Sequence, residues 1–133
     1  MITGISHLGV AVQNLEEARE YYRSILGLES SDPIIAGDGS LQVSMVDTGN
    51  VIVELLYPIR EGNVVAKFLE KRGEGIHHVC YEVDDINAEI VRFKERGMEV
   101  IGEPRPGVEG LTVFLHPKGT HGVLVELVEK GEE

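Results

Sequence analysis

Positive charge is scarce in this chain. Twelve Lys and Arg stand against 23 Asp and Glu, for a formal net charge of −11. Nucleic-acid backbones are held by clustered Lys and Arg that release counterions, so a non-specific nucleic-acid surface is excluded. Anionic lipid would be repelled for the same reason. Cysteine is scarcer still. Cys80 stands alone, which excludes an intramolecular disulfide framework and suits a reducing cytoplasm. No apolar run approaches the ~20 residues that span a bilayer. The opening MITGISHLGVAV has no basic n-region and no small-residue cleavage site, so no secretory signal is expected and a cytoplasmic location is. What is present is 133 residues with 42% hydrophobic content, enough for one compact domain with a real core. An acidic protein of this kind suits a divalent metal.

The chain repeats itself. ISHLGVAVQNLEEAREYYRSILGLE, from Ile5, aligns with IHHVCYEVDDINAEIVRFKERGMEV, from Ile76. Each copy opens on a histidine and a period-2 apolar run, His7 to Val12 and His78 to Val83. A polar capping position follows (Gln13/Asn14, then Asp84/Asp85), and then a helix with acidic residues in its first turn. Leu15, Ala18, Tyr22 and Leu26 give the first helix an apolar face; Ile86, Ile90, Phe93 and Met98 give the second its own. Gly27 and Gly97 suit left-handed helix ends. Later, VIVELLYP (51 to 58) matches VLVELVEK (123 to 130), each a strand interrupted by one carboxylate. With LQVSMVDTGN (41 to 50) and LTVFLHPKGT (111 to 120) between, each half reads strand–helix–strand–strand–strand. The fold class is α+β, built from two tandem βαβββ modules over about 3–58 and 76–129 of a single 1–133 domain. The connecting segment, 59–75, holds a short helix capped by Asn63 and carrying Val65, Phe68 and Leu69.

Strand alternation separates the two adjacent histidines. Leu8, Val10 and Val12 face the helices, and His7, Gly9 and Ala11 face the other way, with small residues leaving room for a ligand. In the second copy Val79, Tyr81 and Val83 face the helices together with His77. His78 shares the opposite face with Cys80 and Glu82, and is therefore the partner of His7. Glu54 and Glu126 each stand in a run apolar on both faces, where an isolated carboxylate is costly and must be neutralised, paired or bound to a cation. One such glutamate is well explained by a solvent-facing sheet edge. Two Glu and two His at matched spacing, 47 positions for His7 to Glu54 and 48 for His78 to Glu126, favour a metal site. Imidazole with carboxylate suits Zn, Co, Mn, Ni or Fe(II).

This duplicated pattern resembles the vicinal oxygen chelate superfamily, which includes glyoxalase I, extradiol dioxygenases and methylmalonyl-CoA epimerases. AKFLEKRGEGIHHVCYEVDDI (66 to 86), FLHPKGTHGVLVELVE (114 to 129) and GNVIVELLYP (49 to 58) resemble the epimerase family in particular, and the likeness runs from about Ile5 to Val128. The resemblance implies curved mixed sheets paired around one metal-containing cleft, and a homodimer. It puts His7, Glu54, His78 and Glu126 on metal-ligand positions, with Co, Mn, Zn, Ni or Mg as the ion. The implied reaction is epimerisation of methylmalonyl-CoA through an enolate after proton removal at C2, with the metal as Lewis acid. Glu126 matches one proposed base. Alignment puts Gln42 at the facing catalytic position, where an amide cannot act as a base, and Glu82 stands in reserve.

Further residues carry two readings each. His116 shapes a turn or touches substrate. Lys67, Lys71 and Arg72 form a solvated helix face or meet the phosphates of an acyl-CoA. Cys80 is a buried inert thiol or lines the site, and His121 is a surface variant. EPRPGVEG (103 to 110) resembles a substrate-covering loop in position. Two other functions compete. A glyoxalase I-like lyase or isomerase acting on a thiol adduct of a 2-oxoaldehyde would use a nearly identical metal set, and the AKFLEK and HHVCYEVDD matches argue against it. A non-enzymatic small-molecule-binding module would lack the ligands, and four intact positions argue against that. An extradiol dioxygenase triad needs no fourth carboxylate.

Overall fold

The structure, a computed structural model, describes residues 1–131. The chain is α+β and its elements run in the order expected from the repeat. The first copy comprises β1 (Ile2–Ala11), α1 (Leu15–Ser24), β2 (Ile34–Ala36), β3 (Leu41–Asp47) and β4 (Ile52–Pro58). Helix α2 (Val64–Arg72) connects it to β5 (Gly75–Val83), α3 (Ile86–Glu95), β6 (Val100–Pro106), β7 (Gly110–Leu115) and β8 (Val125–Lys130). No described helix is long and apolar enough to cross a membrane. Two compact units form: one is His7–His77, and the other joins Met1–Ser6 to the chain from His78 onward.

In the His7–His77 unit the strands lie in the order β2-β3-β4-β1. β1 and β4 run parallel and the other neighbours antiparallel. Parallel pairing cannot be made by a tight turn, so the chain crosses over through α1, β2 and β3. Leu55 and Leu56 are adjacent in β4 and both fully buried, because both faces of this sheet are covered. On one face Val12, Val46 and Leu55 pack with Leu15, Ala18 and Tyr22 of α1. On the other, Ala11, Val43 and Leu56 pack with Val65, Phe68 and Leu69 of α2. The second face is the one that also carries His7 and Glu54. Ala11 is thus packed under a helix, and the room expected along His7, Gly9 and Ala11 does not extend to its end.

Helix starts follow sequence closely. The Asn14 side chain accepts the Glu17 N–H at 3.0 Å, Asp85 accepts that of Ala88 at 3.1 Å, and Asn63 that of Val65 at 2.7 Å. Each such cap stabilises by about 1 kcal/mol. The ends are less regular. Past α1 the Leu28 N–H donates to the Tyr22 carbonyl at 2.9 Å, which turns Leu28 into the α1 cluster. Leu26, expected on that face, lies beyond the helix and is exposed. After α3, Gly97 takes φ +85° and the Met98 N–H reaches the Phe93 carbonyl at 2.9 Å, folding Met98 back onto the core as expected.

In the other unit the strand order is β5-β8-β7-β6, with β5 and β8 parallel. Ile86 and Ile90 of α3 pack against Val83, Val113, Leu115 and Leu127. EPRPGVEG is not a free loop. Its first four residues lie in β6, paired to β7, and only 107–109 turn, closed by the Gly107 N–H to the Gly110 carbonyl at 2.7 Å. Two prolines are tolerated because β6 is the edge strand, with one side of its ladder unused. The start of the chain is anchored here. Glu89, 3% exposed, binds Arg92 at 2.9 Å and the Met1 amine, and Asp84 meets the same amine at 2.8 Å. The amine, followed by Arg92, holds the Glu89 carboxyl below the ordinary carboxylate range.

Candidate metal centre

Each copy of the repeat builds the same buried pair. In the first, His7 Nδ1 lies 3.4 Å from Glu54 Oε2, with side chains 5% and 7% exposed. In the second, His78 Nε2 lies 3.1 Å from Glu126 Oε1, with 6% and 11% exposure. The register explains the match. Gly9 stands opposite Glu54 across the parallel β1–β4 ladder, and Cys80 stands opposite Glu126 across β5–β8. In both, the histidine is two residues earlier on the same strand face, so it meets the glutamate diagonally. A one-residue slip in either ladder would turn the carboxylate to the face opposite its histidine.

The surroundings differ. Glu54 has Gly9 and Met45 as its cross-strand neighbours. Glu126 has Cys80 and Phe114, and the Phe114 ring stands edge-on to His78 with centroids 5.6 Å apart. Cys80 is fully buried. His77 is also buried, edge-on to Phe68 of α2 at 5.1 Å, on the side opposite His78.

The donors fit a divalent metal. Burying a carboxylate costs several kcal/mol unless a cation or hydrogen bonds compensate it, and here two copies of the pair bury one each. Imidazole and carboxylate are the ligands of a borderline-to-hard ion.

Other residues singled out in the sequence fall elsewhere. Gln42 stands opposite Tyr57, which packs in the α1 cluster, while its neighbour Val43 points to the α2 face. It lines a surface cleft with Gln13, Asn14, Leu15 and Glu16. The structure therefore does not bring Gln42 to the face of His7 and Glu54. Glu82 is committed to an ion pair with Lys130 at 3.3 Å. His116 Nδ1 accepts the Lys118 N–H at 3.1 Å, which is turn chemistry. His121 is exposed at φ +55°, a left-handed conformation that glycine or asparagine adopts more readily. Lys67 is exposed on α2. Sequence reasoning passed over Glu109, whose carboxylate accepts the Ser6 hydroxyl at 3.0 Å, one residue before His7 in the chain. A carboxylate between the two glycines of a hairpin turn was the available signal.

The fold and these pairs define a class, and comparison with known proteins agrees. The chain belongs to the Glyoxalase/Bleomycin resistance protein/Dioxygenase superfamily, whose family model matches residues 6–115. Within it, the chain is 46% identical over 131 residues to the ethylmalonyl-CoA/methylmalonyl-CoA epimerase of Cereibacter sphaeroides, covering 96% of this chain and 98% of that one. The crystal structure of methylmalonyl-CoA epimerase from Mycobacterium tuberculosis superposes with a TM-score of 0.92 at 33% identity, covering 98% of this chain and 90% of that one. A methylmalonyl-CoA epimerase in complex with methylmalonyl-CoA and NH4+ gives 0.90 at 35% identity, with 98% and 96% covered.

Proposed function

We propose that this chain is an isomerase that epimerises methylmalonyl-CoA at C2, with His7, Glu54, His78 and Glu126 as ligands of one divalent ion. The observation that carries the reading is the duplicated His–Glu diagonal, buried in both copies. Likeness to epimerases over nearly the whole chain supports the substrate. The C2 proton is weakly acidic even between a thioester and a carboxylate. A divalent ion, when bound, supplies Lewis-acid stabilisation of the negative charge that develops on the thioester oxygen.

The side chains do the rest. His7 and His78 offer imidazole nitrogens, each oriented by its strand and its glutamate. Glu126 takes the C2 proton on one face, since a carboxylate has two oxygens and can serve as ligand and base, and a proton delivered from water on the opposite face completes the inversion. Gln42 takes no part in the proton transfer, since an amide cannot accept the proton and the side chain lies toward α1. The same reading makes the entire chain one vicinal-oxygen-chelate-like domain, active in the cytoplasm as a homodimer. Light scattering then gives twice the chain mass of 14.6 kDa.

The test is isotope exchange. Protein loaded in turn with Co, Mn, Ni, Zn and Mg is incubated with methylmalonyl-CoA in D2O, and deuterium at C2 is followed by mass spectrometry. Exchange above background with at least one ion is expected. No exchange with any of them sinks the proposal. Turnover of a glutathione–methylglyoxal adduct in its place would establish the lyase reading.

A further inference from the structure

We propose that the exposed face of α2, through Lys67, Lys71 and Arg72, receives the phosphates of the substrate's coenzyme A portion. The inference rests on the reading that the substrate is an acyl-CoA thioester. It starts from how the helix is laid down. Val65, Phe68 and Leu69 turn inward onto Ala11, Val43 and Leu56. Val64, Lys67 and Lys71, at helical spacing on the other side, are all exposed, and Arg72 follows with its guanidinium 5.9 Å from the Phe68 ring centroid.

Three cations on a nine-residue helix are unusual in a chain of net charge −11. Of the nine cations elsewhere, Arg19, Arg23, Arg92 and Lys130 have carboxylate partners, while Arg60, Lys94, Arg96, Arg105 and Lys118 share with the α2 cations the lack of an ion pair among the described residues, so it is their grouping on one helix that sets the three apart. Among the described residues none of the three on α2 is ion-paired, although Glu70 lies on the same helix. Lys71 and Arg72 suit the negative end of the helix dipole. Lys67 sits near mid-helix, where the dipole gives no reason for a cation. A group of uncompensated cations on an acidic protein is where a polyanion gains most and the surrounding field opposes it least.

Placement adds the second argument. α2 covers the same sheet face that carries His7 and Glu54: Leu56 is two residues from Glu54 on β4, and Ala11 four from His7 on β1. Four strand residues span about 13 Å, and the helix diameter of roughly 10 Å lies beyond. An extended pantetheine arm covers a span of that order between thioester and phosphates. A small thioester held at the histidines would thus carry its charged end along α2.

The experiment compares two substrates that share the reacting group. Methylmalonyl-CoA carries the phosphates, and the methylmalonyl thioester of pantetheine carries none. In the metal-loaded triple variant Lys67→Gln/Lys71→Gln/Arg72→Gln, KM for the CoA ester should rise about tenfold or more while kcat stays within about twofold. KM for the pantetheine ester should not change. Raising salt should weaken wild-type KM for the CoA ester, and this dependence should shrink in the variant. Lys67→Gln alone, distant from the helix terminus, should give about a threefold rise and keeps the test alive if the triple variant unfolds. An unchanged ratio of the two KM values in Lys67→Gln and the triple variant overturns the inference while leaving epimerase activity intact. Wild-type failure on both esters overturns the epimerase reading and takes the inference with it.

Discussion

The two His–Glu pairs share one diagonal and differ in what flanks the carboxylate. Glu54 has a glycine opposite it on β1, while Glu126 has a thiol opposite it on β5 and an aromatic ring on β7. The shared part reflects backbone register alone, since both ladders are parallel and both offsets are two residues. The different part is side-chain chemistry added to a common frame. That contrast teaches what a duplicated unit keeps and what it lets vary: the His–Glu diagonal is held in both copies, and the surroundings of each carboxylate differ.

The comparison is most easily broken at the histidines. His7→Ala and His78→Ala should each empty the metal site and lower kcat/KM by about a thousandfold or more. Metal analysis of the purified variants with the deuterium assay checks this, and a variant that keeps both metal and activity would make the two copies unequal as ligand sources. Substituting the glutamates probes the divergent part. Glu126→Gln should cost about a hundredfold or more in kcat. Glu54→Gln should weaken metal binding and, at saturating metal, keep kcat within about tenfold. Equal losses of kcat would assign both carboxylates the same job.

His77→Ala gives a smaller effect of another kind. It removes a buried ring set edge-on to Phe68, so unfolding in denaturant should show a loss of about 1–3 kcal/mol. Metal content should stay that of the parent. Metal loss on His77→Ala would reverse the face assignment of the adjacent histidines.

Acid stability gives the smallest signal. Glu89 titrates below its ordinary value of 4.5 in the folded chain, chiefly through the Met1 amine and then Arg92. Below about pH 4.5 the unfolded chain therefore binds the extra proton first, and stability falls as pH falls through the folded value. Glu89→Gln should flatten this acid limb in chemical denaturation at a series of pH values. A limb as steep as in the parent would remove Glu89 from the account.

Much of this was legible in the residues. Alternation along HHVCYEV was enough to place His77 and His78 on opposite faces, because side chains in a strand have no third option. Caps at Asn14, Asn63 and Asp85 announced three helices, since each has a side chain that satisfies an otherwise orphaned N–H. What failed depended on information outside the local pattern. Gln42 sits one residue from Val43, and no alternation rule says which of the two faces the histidines until the pairing of β3 with β4 is known. Leu26 had the right spacing for the α1 face, but the helix stops at Ser24 and the turn presents Leu28. EPRPGVEG has loop composition, yet an edge strand absorbs two prolines that an inner strand would reject. Likewise α2 was visible as a helix, while the sheet face it covers was not.

The central claim is that two separate buried pairs serve one ion, and stoichiometry tests it directly. Anaerobic titration of the metal-free protein with Co2+, followed by the visible absorbance of the bound ion, should saturate at one equivalent per chain. His7→Ala and His78→Ala should each abolish that step. Saturation at two equivalents, with each variant retaining one, would show that each pair binds its own ion and would contradict the account.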